Sequence, residues 1–262
     1  MIRLGAVSYL NTRPLVYGLE RETDRFSLRF DVPAQCAALL HADEVDLGLI
    51  PSIEYIGHGY RIVPGVSIAS DGPVASVAIF SRVPREKIHS IALDTSSRTS
   101  QVLLRVLCAR WFEIDPRLVN MPPDLPQMLA SCDAALLIGD NALFTDHVAL
   151  GLEKIDLGEE WVRMTRLPFV YAFWAGRPGA VGPDDIAALQ AARDRGIAAT
   201  ATIGRLSYPD SIDKAARADR YLCEEVKYAL GEPEMAGLTR FYELAVAVGV
   251  PGVHGSTRPE FY

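Results

Sequence analysis

The sequence predicts a two-lobed α/β fold with a ligand cleft between the lobes and two hinge crossovers. Three observations carry this expectation. Short apolar runs alternate with helical spacing in two separate sets, one before and one after residue 82. Two further apolar runs, residues 74–80 and 169–175, fall where strands connecting two lobes are needed. From residue 183 the chain is helical almost to its end, and one long sheet would leave those helices nothing to cover. The expected lobes are residues 1–82 with 176–262, and residues 83–175.

Each element has its own signal. Residues 2–7 are a short apolar run suited to a buried parallel strand. Asn11 and Thr12 suit an N-cap and Pro14 a first helical position, which predicts a helix through about Arg21. Residues 26–32 alternate Phe26, Leu28, Phe30 and Val32 with polar side chains, as a half-buried strand does. Pro33 opens a helix over 34–42, and residues 45–50 form a buried strand ending in Pro51-Ser52. This βαβαβ order implies parallel strands with right-handed crossovers. Residues 61–63 and 66–69 read as strand pieces. The pattern restarts with a strand at 88–93, the turn Thr95-Ser96-Ser97-Arg98-Thr99-Ser100 and a helix over 101–112. Strands at 118–121 and 134–138 flank a loop and helix at 122–130, and a short helix follows Gly139-Asp140-Asn141. Residues 152–157 lead into a helical turn at 159–164. The tail predicts helices at 183–195, opened by Gly182-Pro183 and stopped by Gly196, and at 211–230 and 233–248.

Composition narrows the function. The 262 residues are 49% hydrophobic and 23% charged, ordinary for a globular chain. The net charge of −7 gives no general attraction to nucleic acid or anionic membranes, so neither is an expected partner. No stretch reaches the roughly 18 apolar residues of a spanning helix. The chain enters a strand at once, without an export leader, so the cytoplasm is the expected location. Cys36, Cys108, Cys132 and Cys223 form no C-x-x-C pair and read as free thiols. His41, His58, His89, His147 and His254 form no metal-binding pair, and no metal is expected. A Walker pattern, a nucleophile elbow and a Ser-His-Asp arrangement are all missing. The expected partner is a small anion bound by a monomer or homodimer.

The segments that end strands or begin helices would line the cleft. Five hydroxyls in the six residues Thr95–Ser100 exceed what one helix cap needs, and the helix dipole favours a carboxylate there. Thr95, Ser97, Thr99 and Ser100 are therefore candidate ligand contacts. Arg98 offers a charged fork or faces solvent. Ser52 follows a strand, and Ser76 enters the first connecting strand, so both are candidates by position. Asn11 is either a helix cap or an amide that meets the ligand. Asp140 is either an N-cap or an acid–base group. Glu54 reads as a favourable first-turn acid, and Phe173 and Trp174 read as core.

Together these segments resemble one family. The matching pieces are Val7-Ser8-Tyr9-Leu10-Asn11-Thr12-Arg13-Pro14-Leu15, Leu49-Ile50-Pro51-Ser52-Ile53-Glu54-Tyr55, Ser70-Asp71-Gly72-Pro73-Val74-Ala75-Ser76-Val77 and Asp94 through Ser100. Further pieces are Leu137-Ile138-Gly139-Asp140-Asn141-Ala142-Leu143, Trp161 with Leu167-Pro168-Phe169-Val170, and Gly237-Leu238-Thr239-Arg240-Phe241-Tyr242. In this order they resemble the chorismate dehydratases (MqnA) of the futalosine route to menaquinone. The resemblance implies a type II periplasmic-binding-protein-like fold. It also implies dehydration of chorismate to 3-[(1-carboxyvinyl)oxy]benzoate by syn elimination, without a metal or redox cofactor. The reaction needs a base at C3, a donor to the leaving hydroxyl and stabilisation of charge on the ring carboxylate. The Thr95–Ser100 turn suits the last role, and Asn11 and Ser52 suit the leaving hydroxyl. Asp140 or the substrate's own enolpyruvyl carboxylate would be the base. The alternative is a solute-binding or sensor protein of the same fold that does no chemistry.

Overall fold

The computed structural model describes residues 1–253 and 258–262; His254 lies outside the described residues. The chain opens with β1 (Ile2–Val7), β2 (Phe26–Asp31), α1 (Pro33–His41), β3 (Leu47–Pro51) and β4 (Arg61–Ser70). The apolar run Leu47-Gly48-Leu49-Ile50-Pro51 is fully buried, as a central strand requires. A second set follows: β5 (Val77–Ser81), β6 (Ser90–Asp94), α2 (Arg98–Leu107), β7 (Arg117–Met121), α3 (Leu125–Ser131), β8 (Ala134–Ile138), α4 (Gly139–Leu143), β9 (Glu153–Asp156) and α5 (Leu157–Thr165). The chain then returns as β10 (Phe169–Gly176) and ends in α6 (Pro183–Ile197), α7 (Thr200–Ser207), α8 (Ile212–Arg220) and α9 (Glu232–Ala247).

These strands form two five-stranded sheets of matching design, β2-β1-β3-β10-β4 and β7-β6-β8-β5-β9. In the first, β1 is parallel to β2 and β3, while β10 is antiparallel to β3 and β4. In the second, β6 is parallel to β7 and β8, while β5 is antiparallel to β8 and β9. In each sheet the antiparallel strand lies just beyond a crossing between the lobes. Val77–Ser81 was expected in the first lobe but pairs in the second sheet. Residues 169–175 were expected in the second lobe but pair in the first sheet. The reason is physical: residues buried on both faces look alike whether they bridge lobes or complete a sheet.

Other expectations shift locally. Residues 61–70 form one strand rather than two pieces. The expected helix at 211–230 ends at Arg220 in a π-turn, Tyr221–Glu225, and α7 fills a stretch left unassigned. Gly196 does not stop α6, which runs to Ile197. A Cβ at Gly196 would overlap the Pro14 carbonyl, so glycine serves close packing of α6 on the first loop. The core behind the first sheet is aromatic: Trp161 meets Phe169 edge-on at 5.1 Å, and Phe241 of α9 lies 4.8 Å from Phe169. All three are buried, as are Phe173 and Trp174. Each such side chain contributes about 1.5–3 kcal/mol by leaving water. Cys36, Cys108 and Cys132 are buried free thiols and Cys223 is an exposed one. Among the described residues no helix is long and apolar enough to cross a membrane.

Candidate functional site

The two sheets meet at a cavity into which the carboxyl ends of β1, β3 and β8 point. Its polar lining comes from Tyr9 and Asn11 after β1, Ser76 before β5, Ser97 and Ser100 at the start of α2, and Tyr171 in β10. Val7, Pro51, Val74 and Ile138 supply apolar wall.

Asn11 does not cap a helix. The segment after β1 is a 3-10 helix, Leu10–Val16, whose N-cap is Tyr9 and has no side-chain capping bond. Pro14 lies inside it, where a 3-10 turn tolerates the missing N–H better than an α-helix does. The amide of Asn11 is thereby left to the cavity, and its Oδ1 is buried without a hydrogen-bond partner. Such an acceptor is costly unless something donates to it.

Ser97 is the N-cap of α2; its Oγ accepts from the Ser100 N–H and stands 3.1 Å from the Ser100 Oγ. Two hydroxyls and the free N–H groups of a first helical turn face one space, which suits a carboxylate. Ser96 serves the neighbouring support: it donates to the buried Asp94 carboxylate at 2.5 Å and accepts from the Tyr9 hydroxyl at 3.0 Å. Burial pushes Asp94 up from the usual carboxylate range against its bonds from Ser96 and the Ile138 N–H. Burial likewise pushes the Tyr9 phenol up to about 12, so it stays a neutral donor. The Tyr9 ring rests on Gly139, where φ is +60° and a Cβ would sit 2.8 Å from the ring.

Ser76 sits at the end of a strapped crossing. Ala75 has φ +57°, rare for a residue with a side chain. Its N–H donates to Asp156 at 2.6 Å, and its carbonyl accepts from the Lys154 ammonium at 3.0 Å. Asp156 also takes the Val74 N–H and caps α5 through the Gly158 and Glu159 N–H groups. One carboxylate thus fixes the crossing, and the crossing places Ser76.

The other expected contacts lie elsewhere. Ser52 is fully buried and donates to the Val170 carbonyl at 2.8 Å. Thr99 accepts from the Ile53 N–H at 3.2 Å. Both residues therefore seal the seam between lobes beside the cavity, because their hydroxyls are already engaged. Arg98 pairs with Glu54 at 2.8 Å across the same seam, rather than reaching into the cavity. Glu54, expected to be a simple first-turn acid, is instead buried and also meets His41 Nε2 at 3.1 Å. Thr95 is exposed and outside the cavity lining. Asp140 accepts from the Leu10 N–H at 3.1 Å and lines a second, larger cavity of about 750 Å³ with Arg13, Arg195 and Tyr208. Burial raises its pKa, against the Leu10 N–H, Arg13 and Tyr208, which lower it. It does not cap α4, which has Ile138 at its N-cap. Sequence reasoning missed Tyr9, Tyr171 and Tyr221. Tyr9 had a signal in its place two residues before Asn11; Tyr221 had none, since it reads as one helical residue among many.

The cavity volume is about 50 Å³. A cavity that takes benzene measures about 150 Å³. The lobes are therefore apposed in this structure, and an aromatic-sized ligand needs them to part.

The model of a family described as menaquinone biosynthesis matches residues 2–247. The chain belongs to the menaquinone biosynthesis family. A relative, the chorismate dehydratase of Thermus thermophilus, is 31% identical over 266 residues that cover 95% of each chain. Solved structures show the same likeness in fold. A protein of Archaeoglobus fulgidus superposes with a TM-score of 0.73 at 20% identity, covering 95% of this chain and 98% of its own. A Candida albicans gene product that exhibits the generic periplasmic binding protein fold gives 0.65 at 11% identity, covering 98% and 92%. An ABC transporter structure from Parabacteroides distasonis gives 0.60 at 15%, covering 99% of each chain. The family member described here therefore has the two-lobed fold of periplasmic binding proteins.

Proposed function

We propose that this chain dehydrates chorismate to 3-[(1-carboxyvinyl)oxy]benzoate, a syn elimination that opens the futalosine route to menaquinone. The observation that carries the reading is the unpartnered Asn11 Oδ1 in a cavity otherwise lined by hydroxyls and a helix N-terminus. Chorismate offers what that lining can take up: a hydroxyl for the open acceptor and carboxylates for the hydroxyls and free N–H groups. The 31% identity to a chorismate dehydratase supports the same reading.

The steps follow from the chemistry. The ring carboxylate sits against Ser97, Ser100 and the start of α2, where charge delocalised from C3 is stabilised. The C4 hydroxyl lies between Asn11 and Ser76, with Asn11 accepting its proton and Ser76 donating to its oxygen. The C3 hydrogen is on the same ring face, because the C3 ether and C4 hydroxyl are trans. No Asp, Glu, His or Lys lines the cavity among the described residues. The enolpyruvyl carboxylate, tethered to C3 through the ether oxygen, therefore takes the proton and passes it to the departing hydroxyl. The C3–H and C4–O bonds break, a ring double bond forms and water leaves.

Closure near Val74 and Pro168, where the lobes divide, holds the enolpyruvyl arm away from C1 and so suppresses rearrangement to prephenate. The test is to incubate the purified protein with chorismate and identify products by mass. A product lighter by one water supports the reading. Unchanged chorismate, or an isomeric prephenate as main product, overturns it; unchanged chorismate that nevertheless binds favours the solute-binding alternative.

A further inference from the structure

Resting on that reading of the cavity, we infer that Tyr221 is a positioning residue that fixes the hydrogen-bond polarity of Asn11 and Ser76. Its side chain arrives from outside both sheets, at the first residue of the π-turn Tyr221–Glu225. π-Turns inside helices often mark functional sites, because the extra residue rotates a side chain out of helical register. Tyr221 is 1% exposed, and its hydroxyl donates to the Ser76 Oγ at 2.7 Å. The Asn11 side chain acts on the same hydroxyl, drawing its pKa down against burial, and Asn11 and Ser76 both line the cavity.

The polarity follows from counting protons. A phenol has one proton to give. Tyr221 gives it to Ser76, so towards Asn11 it can only accept, and the group it accepts from is the Asn11 Nδ2. That settles the amide's orientation: Oδ1 is the atom left over, in agreement with its lack of a partner. The Ser76 oxygen, having accepted from Tyr221, keeps its own proton for the cavity. Tyr221 thus makes Asn11 an acceptor and Ser76 a donor, which is the pair of opposite roles a leaving hydroxyl needs. Burial holds the phenol far above neutral pH, so the arrangement does not titrate in the working range.

Tyr221→Phe removes the shared oxygen and little volume. The amide then turns freely, and the serine proton loses its direction. We expect kcat to fall roughly 10- to 100-fold, the scale for a misplaced group, with KM within about twofold. The melting temperature should stay within a few degrees. Tyr221→Phe with Ser76→Ala should lose less than the two single losses combined, since the phenol acts partly through the serine. An unchanged kcat in Tyr221→Phe, or fully additive losses, overturns the inference while leaving chorismate dehydration standing.

A second measurement works whatever the wild type does to chorismate. The Asn11 Nδ2 protons, followed by NMR of the isotope-labelled protein without ligand, should exchange slowly with solvent and should exchange at least about tenfold faster in Tyr221→Phe. Equal exchange in the two proteins overturns the inference too.

Discussion

Asp140 and Gly139 are neighbours with opposite sensitivities. Asp140 accepts from the Leu10 N–H and faces the larger cavity, so an asparagine there keeps the bond. Asp140→Asn should leave turnover of chorismate within about threefold, whereas a loss of 10²-fold or more, the scale of a removed acid–base group, would make Asp140 the base. Gly139 carries the Tyr9 ring at a positive φ. Gly139→Ala should cost about 1–3 kcal/mol in a denaturant titration and raise KM, because strain and the displaced ring act together. These two residues also show what a sequence reading can reach. Asn11, Ser76, Ser97 and Ser100 were legible as cavity-lining candidates because each follows a strand, enters one or opens a helix. Asp140 met the same criterion and points to another space. Position in the chain fixes which end of a strand a residue occupies, not the direction of its side chain.

At the scale of elements, α2 shows a helix start serving two purposes. Ser97 caps the helix and lines the cavity. Ser97→Ala should cost about 1 kcal/mol of stability and raise KM for a carboxylate ligand. Ser97→Asp tests the second purpose apart from the first: it preserves the cap and places a negative charge in the cavity, so stability should hold while binding fails. The strands and helices were mostly legible as elements, down to the buried runs of β3 and β8. The 3-10 helix after β1 and the π-turn after α8 were not. Both depart from regular spacing through contacts distant in sequence, the first packing against α6 and the second bringing Tyr221 to Ser76.

For the whole molecule, the seam between lobes carries a buried charge, Glu54. Burial would raise the Glu54 pKa, but His41 and Arg98 outweigh it and hold the carboxyl below its ordinary 4.5. A depressed carboxylate stabilises the fold above its unfolded pKa. That contribution is lost as pH falls through the lower, folded value. Wild type should therefore lose stability below about pH 4.5 more steeply than Glu54→Gln. At neutral pH the same substitution should cost about 1–3 kcal/mol, towards the low end because Arg98 is largely exposed. It should also favour parted lobes, which scattering would show as a larger radius of gyration without ligand. The two lobes and the cleft were legible in the sequence; the matched strand orders and the side of each crossing were not, since bridging and central strands share one composition.

The tight fit of the cavity has a consequence for isotopes. Apposed lobes leave a cavity of only about 50 Å³, so lobes that part to admit an aromatic acid and close on it again should hold little bulk solvent beside it. In the proposed elimination, a proton taken from C3 would stay with its acceptor until the lobes part and would depart in the newly formed water. Chorismate recovered from a half-complete reaction in heavy water should therefore carry no deuterium at C3. Chorismate made with deuterium at that carbon should deliver its label to the medium only as fast as product forms.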